Sequence, residues 1–265
     1  MSSNVDIGRY RTKLSDYESR YETIKFRRDD GILEMQLHTD GGPLRWGRLP
    51  HIELDEAFSF IARDRDNKVI VLTGTGAEFS GPAPDLDANR KYHSMGPEEW
   101  GELGWEAKGF HTNLLAIDVP MIAAVNGPAY RHAELPIMCD VVLASDTASF
   151  QDSAHYVGGL VPGDGVHIAF AMAMGINRAR YFLLTGQVLG AQEAKEVGLV
   201  NEVLAPDKLM PRAWELARQI ARQPELNRRY SRILLTEQLR RQFAELLPYG
   251  LALEGLAITA IRPKP

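Results

Sequence analysis

An α/β fold with helices packed outside its sheets is what this sequence predicts. Three features carry the prediction: a hairpin pattern opening the body, short apolar strand runs that each lead into a loop and a helical stretch, and a tail where strand signals almost vanish. Phe26-Arg-Arg-Asp-Asp-Gly31 reads as a strand entering a turn, and Ile32-Leu-Glu-Met-Gln-Leu37 alternates as a half-buried strand does. A helical stretch around Leu54 to Ala62 precedes the buried-strand run Val69-Ile-Val-Leu-Thr73 and the loop Gly74 to Pro84. A helix near Glu98 to Leu115 comes next, then strand Met121-Ile-Ala-Ala-Val125, loop Asn126 to His132, a helical turn and strand Val141-Val-Leu-Ala144. Past about residue 165, helical periodicity takes over in Ala191 to Val197, Leu209 to Arg222 and Arg228 to Leu253. Ahead of the body, Tyr10, Leu14, Tyr17 and Tyr21 recur at helical spacing. Residues 1–23 are therefore expected to be an N-terminal extension with a short helix, 24–200 the core, and 201–265 a helical C-terminal region suited to packing or subunit contact.

A chain of 265 residues with 45% hydrophobic content can bury a full core in one main domain. Its 30 basic and 35 acidic residues give a formal net charge of -5, and neither sign forms a block that would track a phosphate backbone, so nucleic acid is not an expected partner. Cys139 is the only cysteine, which excludes an intrachain disulfide framework and a cysteine-based zinc site and suits a reducing cytoplasm. The start, Met1-Ser-Ser-Asn-Val-Asp-Ile-Gly, lacks the basic and apolar runs of a secretion signal, and no segment approaches eighteen uninterrupted apolar residues. A soluble protein with no membrane partner is expected.

Five stretches in one continuous order carry a resemblance: Lys68-Val-Ile-Val-Leu-Thr-Gly-Thr-Gly76, Val119-Pro-Met-Ile-Ala-Ala-Val-Asn-Gly-Pro128, Cys139-Asp-Val-Val-Leu-Ala144, Tyr181-Phe-Leu-Leu-Thr-Gly186 and Ala191-Gln-Glu-Ala-Lys-Glu-Val-Gly-Leu-Val-Asn-Glu-Val203. Together they resemble the crotonase (enoyl-CoA hydratase/isomerase) superfamily. That likeness implies a spiral of ββα turns, a helical C-terminal region, and assembly as homotrimers or as homohexamers built from two trimers. The site departs from the family's usual chemistry. Where ordinary members have a Gly-Gly-Gly run, this chain has Tyr130-Arg-His-Ala133; where they place a catalytic glutamate after the next loop's Phe, it has Phe150-Gln-Asp-Ser-Ala-His155. Their common Pro-Gly-Ala-Gly is here Pro162-Gly-Asp-Gly165. These changes, with Trp46 and Glu254, resemble the β-diketone hydrolase branch, to which 6-oxocamphor hydrolase belongs.

The branch implies a retro-Claisen cleavage without cofactor or metal: water adds to one carbonyl of a small-molecule 1,3-diketone, and the other half leaves as an enolate. His155 is the candidate base, since an imidazole takes and returns a proton near neutral pH, and Asp164 the candidate partner that orients it. His132 falls where the scaffold uses a backbone amide and is assigned to a substrate carbonyl or the enolate oxygen. The backbone at Ser80 or Gly81 is the candidate second donor. Trp46 offers an indole donor and an apolar wall, and Glu254 could position water or shuttle a proton. His167 reads as a bystander, and Glu134, level with a glutamate that hydratases use, as a structural or site-supporting residue. The loop from Gly81 to His93 is expected to shape the pocket. Two other readings stand beside this one: a hydratase or isomerase acting on a coenzyme A thioester through Glu134, and a non-catalytic scaffold.

Overall fold

The structure is a computed structural model that describes residues 10–82 and 95–261. Ten strands can be followed among them. β1 (Ile24–Asp29) and β2 (Ile32–Leu37) form the expected antiparallel hairpin, turning through Asp30 and Gly31 at positive φ, a conformation that favours glycine at the second position. From β2 the pairing becomes parallel through β4 (Val69–Thr73), β6 (Met121–Val125), β7 (Val141–Ser145) and β10 (Glu202–Leu204), giving a six-stranded sheet in the order β1-β2-β4-β6-β7-β10.

The short strands β3 (Leu44–Arg45), β5 (Ser80–Gly81), β8 (Ser149–Phe150) and β9 (Leu189–Gly190) make a second layer. Bridges from Ala129 to Ser80 and to Phe150 stitch that layer together. Each turn of the chain thus lays one long strand in the large sheet and one short strand in the small one before a helix returns it. This is the ββα spiral expected from sequence.

The central strands are buried at every position because both faces of the large sheet are covered. Ile70 and Leu72 face the main core, while Val69, Val71, Ile122 and Ala124 meet Leu209, Ala213, Trp214 and Ala217 of the helix Pro206–Ala221. The helices are α1 (Arg48–Arg63), α2 (Pro97–Ala116), α3 (Glu134–Ile137), α4 (Val166–Met174), α5 (Ile176–Thr185), α6 (Ala191–Glu196), α7 (Pro206–Ala221) and α8 (Glu225–Ile261). α1 packs on α2, and α2 on α8. No helix among the described residues is long and apolar enough to cross a membrane.

Two buried arginines fasten α8 to the body. Arg232 Nε donates to Asp140 Oδ2 at 2.8 Å and its Nη1 to the carbonyl of Ile117; Arg229 reaches Asp118 and the carbonyl of Arg65. Two features were not anticipated. In the N-terminal extension the described residues include the 3-10 turn Leu14–Asp16, and Tyr17 enters the core with a hydrogen bond from its hydroxyl to Asp64. The last strand of the large sheet, β10, lies in the segment expected to be helical, and three residues are too few for an alternation to show.

Candidate functional site

Loops at the carboxyl ends of the parallel strands bring the singled-out residues together, the usual place for a site in such sheets. Trp46 follows β3, its amide donating to the carbonyl of Gly81 at 3.0 Å. His132 sits in the loop after β6 with φ 48°, a left-handed conformation that costs a side-chain-bearing residue roughly 1–3 kcal/mol. His155 lies in the turn after β8, and Asp164 in the loop before α4. Gly163 and Gly250 approach so closely that a Cβ on either would meet the other's carbonyl oxygen at 2.2 Å, and this contact lets α8 bring Glu254 against the same loop.

His155 is ringed by three carboxylates. Its Nδ1 is 2.8 Å from Asp152 Oδ1, and its Nε2 is 3.1 Å from Asp164 Oδ2 and 3.6 Å from Glu254 Oε1. The sequence reading placed Asp164 on the far nitrogen as the orienting group. The structure gives that position to Asp152, which also accepts from the backbone amides of Ala154 and His155, and sets Asp164 on the nitrogen that faces the pocket. Asp152 was passed over because three-residue spacing outside a helix carries no signal of its own.

Burial alone would lower His155, but Asp152, Asp164 and Glu254 together hold it well above the usual histidine range. Burial would raise Asp164, yet His155, its hydrogen bond and His132 keep it well below the usual carboxylate range. Glu254 goes the other way: burial lifts it well above its ordinary value despite His155. Asp164 Oδ1 and Glu254 Oε2 are buried with no hydrogen-bond partner among the described residues.

The His132 ring lies tilted against that of Trp46 with centroids 4.1 Å apart, and the indole Nε1 of Trp46 is buried with no acceptor among the described residues. His132 Nδ1 lies 2.7 Å from Glu134 Oε1 and 3.7 Å from Asp164 Oδ2, while its Nε2 lies 2.9 Å from Nε2 of His51. His51 sits in the first turns of α1 and His111 on α2, its Nε2 3.2 Å from Glu134 Oε1. Neither was picked out from sequence, since each is a lone histidine on an otherwise ordinary helix. Trp46, His51, His132, His155, Asp164 and Glu254 line the pocket together with the apolar Trp100, Leu103, Ala107, Leu160 and Leu251.

Ser80 and Gly81 are not part of that lining. The Ser80 amide donates to the carbonyl of Pro128 at 3.2 Å and its hydroxyl to the carbonyl of Arg131 at 2.6 Å. Ser80 thus braces the His132 loop, and the Gly81 carbonyl holds Trp46. His167 also lies outside the lining. Of the loop expected to shape the pocket, positions 83–93 lie outside the described residues.

His111, His132 and Glu134 offer atoms within 4.8 Å of one another, close enough to ask whether they could share a metal ion. The 2.7 Å separation of His132 and Glu134 is that of a charge-assisted hydrogen bond, whereas two ligands of one tetrahedral zinc stand roughly 3.3 Å apart. The geometry fits a shared proton.

Comparison with known proteins bears on this arrangement. The enoyl-CoA hydratase/isomerase family matches residues 50–257. A β-diketone hydrolase from the cyanobacterium Anabaena sp. PCC 7120, solved bound to (S)-3-oxocyclohexyl acetic acid, is 46% identical, with a TM-score of 0.88 over 94% of this chain and 98% of that one. Hydroxycinnamoyl-CoA hydratase-lyase of Pseudomonas fluorescens is 31% identical, covering 78% of this chain and 75% of its own. Crotonyl-CoA hydratase of Syntrophomonas wolfei is 28% identical over 82% of each. The spiral, the order of its strands and these matches place the chain in the enoyl-CoA hydratase/isomerase (crotonase) family.

Proposed function

We propose that this protein hydrolyses a carbon-carbon bond of a β-diketone, cyclic by analogy with its relative, to give a keto acid. The observation that carries the reading is the placing of His155, between Asp152 and Asp164, in one pocket with His132 and Trp46. In its neutral form His155, oriented by Asp152 with Asp164 beside it, takes a proton from water as the water oxygen bonds to one carbonyl carbon. Trp46 Nε1 donates to the oxyanion, and the His132 ring beside it supplies positive charge rather than an N–H, since both of its nitrogens are engaged by His51 and Glu134. The bond to the neighbouring α-carbon then breaks, its electron pair forming the enolate of the second carbonyl. Glu254, whose carboxyl burial shifts upward and so favours the acid form, gives a proton to that carbon and is reloaded from His155, so the products hold one added water and the scheme calls on no nucleotide.

The coenzyme A reading draws support from the hydratases among the relatives. Two observations weigh against it. Glu134 is engaged with His132 and His111 and does not line the pocket, and the Ser80 amide is already engaged with Pro128. Assembly as trimers or pairs of trimers belongs to the same proposal, because Tyr230, Leu234 and Leu235 leave apolar surface exposed on α8. So does a cytoplasmic location, which a single buried free thiol suits.

The test is turnover of bicyclic and monocyclic 1,3-diketones without coenzyme A, beside crotonyl-CoA. Cleavage of a diketone to a keto acid is the expected result; fast hydration of crotonyl-CoA with every diketone inert would discard the proposal. A pH dependence follows. The base form of His155 appears only as pH rises through a pKa held above the usual 6.5, so kcat/KM should climb on the alkaline side of that value. Asp152→Asn removes one of the charges that raise it and should move this limb to lower pH; a limb that stays put would show that Asp152 does not set the titration.

A further inference from the structure

His132 has both ring nitrogens at hydrogen-bond distance from other side chains, and its neighbours constrain where each proton sits. His51 Nδ1 is 2.9 Å from the carbonyl of Gly47, which only accepts, so that nitrogen carries hydrogen. Burial and the adjacent His132 push His51 down to about 3, so its ring is neutral and its Nε2 holds a lone pair. The 2.9 Å contact between the two Nε2 atoms then requires the hydrogen on His132. At the other end His111 Nδ1 donates to the carbonyl of Ala107 at 2.6 Å, leaving its Nε2 to face Glu134 Oε1 at 3.2 Å.

From Gly47 to Ala107 the chain of groups runs through His51, His132, Glu134 and His111. It has five separations of hydrogen-bond length, and each needs one proton. Three neutral imidazoles and one carboxylic acid hold only four. The chain is complete with one proton more, a net positive charge, and Asp164, 3.7 Å from His132 Nδ1, supplies the counter-charge. The extra proton belongs beside Glu134, since an imidazolium-carboxylate contact at 2.7 Å in a buried site is the strongest bond in the series.

We infer that Glu134, backed by His111, is a positioning residue that keeps His132 doubly protonated, so that His132 meets a substrate oxygen as a cation. Glu134 touches no pocket space and acts through His132 alone. The titratable and charged groups around the His132 ring are His51 from α1, His111 from α2, Glu134 from α3, Asp164 from the loop before α4, and His155 beyond Asp164; Arg131 adjoins it in the chain and lines the same pocket. Burial works against the charge, and the carboxylates of Glu134 and Asp164 outweigh it. The consequence for turnover rests on the β-diketone reading; the protonation state does not.

The experiment is nitrogen NMR of the full-length enzyme labelled in its histidine rings, with His132 assigned from its loss in His132→Asn. Both of its nitrogens should appear protonated at pH 8 in the parent. In Glu134→Gln, which keeps the shape and removes the charge, one should appear unprotonated. A half-deprotonated His132 in the parent, or two protonated nitrogens in the variant, overturns the inference whether or not any diketone is cleaved. On a diketone substrate, Glu134→Gln should lower kcat by at least about tenfold with KM little changed. A cation is lost as pH rises through its pKa, so removing Glu134 should also move the alkaline limb of kcat to lower pH. A fall in kcat with that limb unmoved would make Glu134 merely structural and overturn the inference too.

Discussion

His155→Ala and Asp164→Asn are each expected to lower turnover of a β-diketone by at least about a hundredfold, the scale of lost general-base catalysis. The two variants fail for different reasons. Alanine removes the imidazole and leaves Asp152, Asp164 and Glu254 gathered round a space with no cation between them. Asparagine keeps the shape beside His155 Nε2 but removes the charge, and its amide can donate to that nitrogen and occupy the lone pair needed for water, as a wrong tautomer does in hydrolytic triads. Both proteins should fold, because neither side chain belongs to the apolar core. Steady-state kinetics beside circular dichroism checks this. Near-normal turnover in either folded variant would remove that residue from the chemistry.

The largest expected loss of stability is at Arg232→Met. The Arg232 guanidinium is fully buried, and its loss leaves Asp140 and the carbonyl of Ile117 without their partner. Breaking a buried pair in this way costs about 3–5 kcal/mol. The lower end is expected, since the Asp140 side chain keeps 18% of its exposure and still accepts from the Met121 amide at 2.7 Å. Urea unfolding should show the midpoint falling with an unchanged slope. Arg232→Met combined with Asp140→Asn should recover part of the loss, because the stranded charge goes with it. A single variant within about 1 kcal/mol of the parent would mean that apolar contacts hold α8 without this clamp.

The large sheet was legible because its central strands are buried on both faces and therefore read as unbroken apolar runs, as in Val69–Thr73 and Met121–Val125. β8, β9 and β10 were not, since two or three residues cannot display a period. In the site, His132, His155, Asp164, Trp46 and Glu254 were found through motif resemblance, and the structure gathers all five round one pocket. What spacing could not tell was which nitrogen each acid meets. Asp152 and Asp164 are both near His155 along the chain, and only the turn after β8 decides that the nearer one takes Nδ1. His51 and His111 were illegible for a related reason. Each bonds the carbonyl four residues back on its own helix, a pattern that any helical histidine can adopt, and nothing local says that their free nitrogens converge on His132 and Glu134.

The pocket joins segments from opposite ends of the polypeptide: Trp100 Nε1 donates to the carbonyl of Leu251 across 151 residues, and Glu254 closes a site begun at Trp46. During synthesis the sheet can be complete as soon as β10 leaves the ribosome, while α8 is still unmade. Until that last helix docks, His155 and Asp164 lack the Glu254 carboxyl and the pocket lacks its Leu251 wall. The chemistry is thus switched on by an act of folding, and an unfinished chain carries the parts of a catalyst without being one.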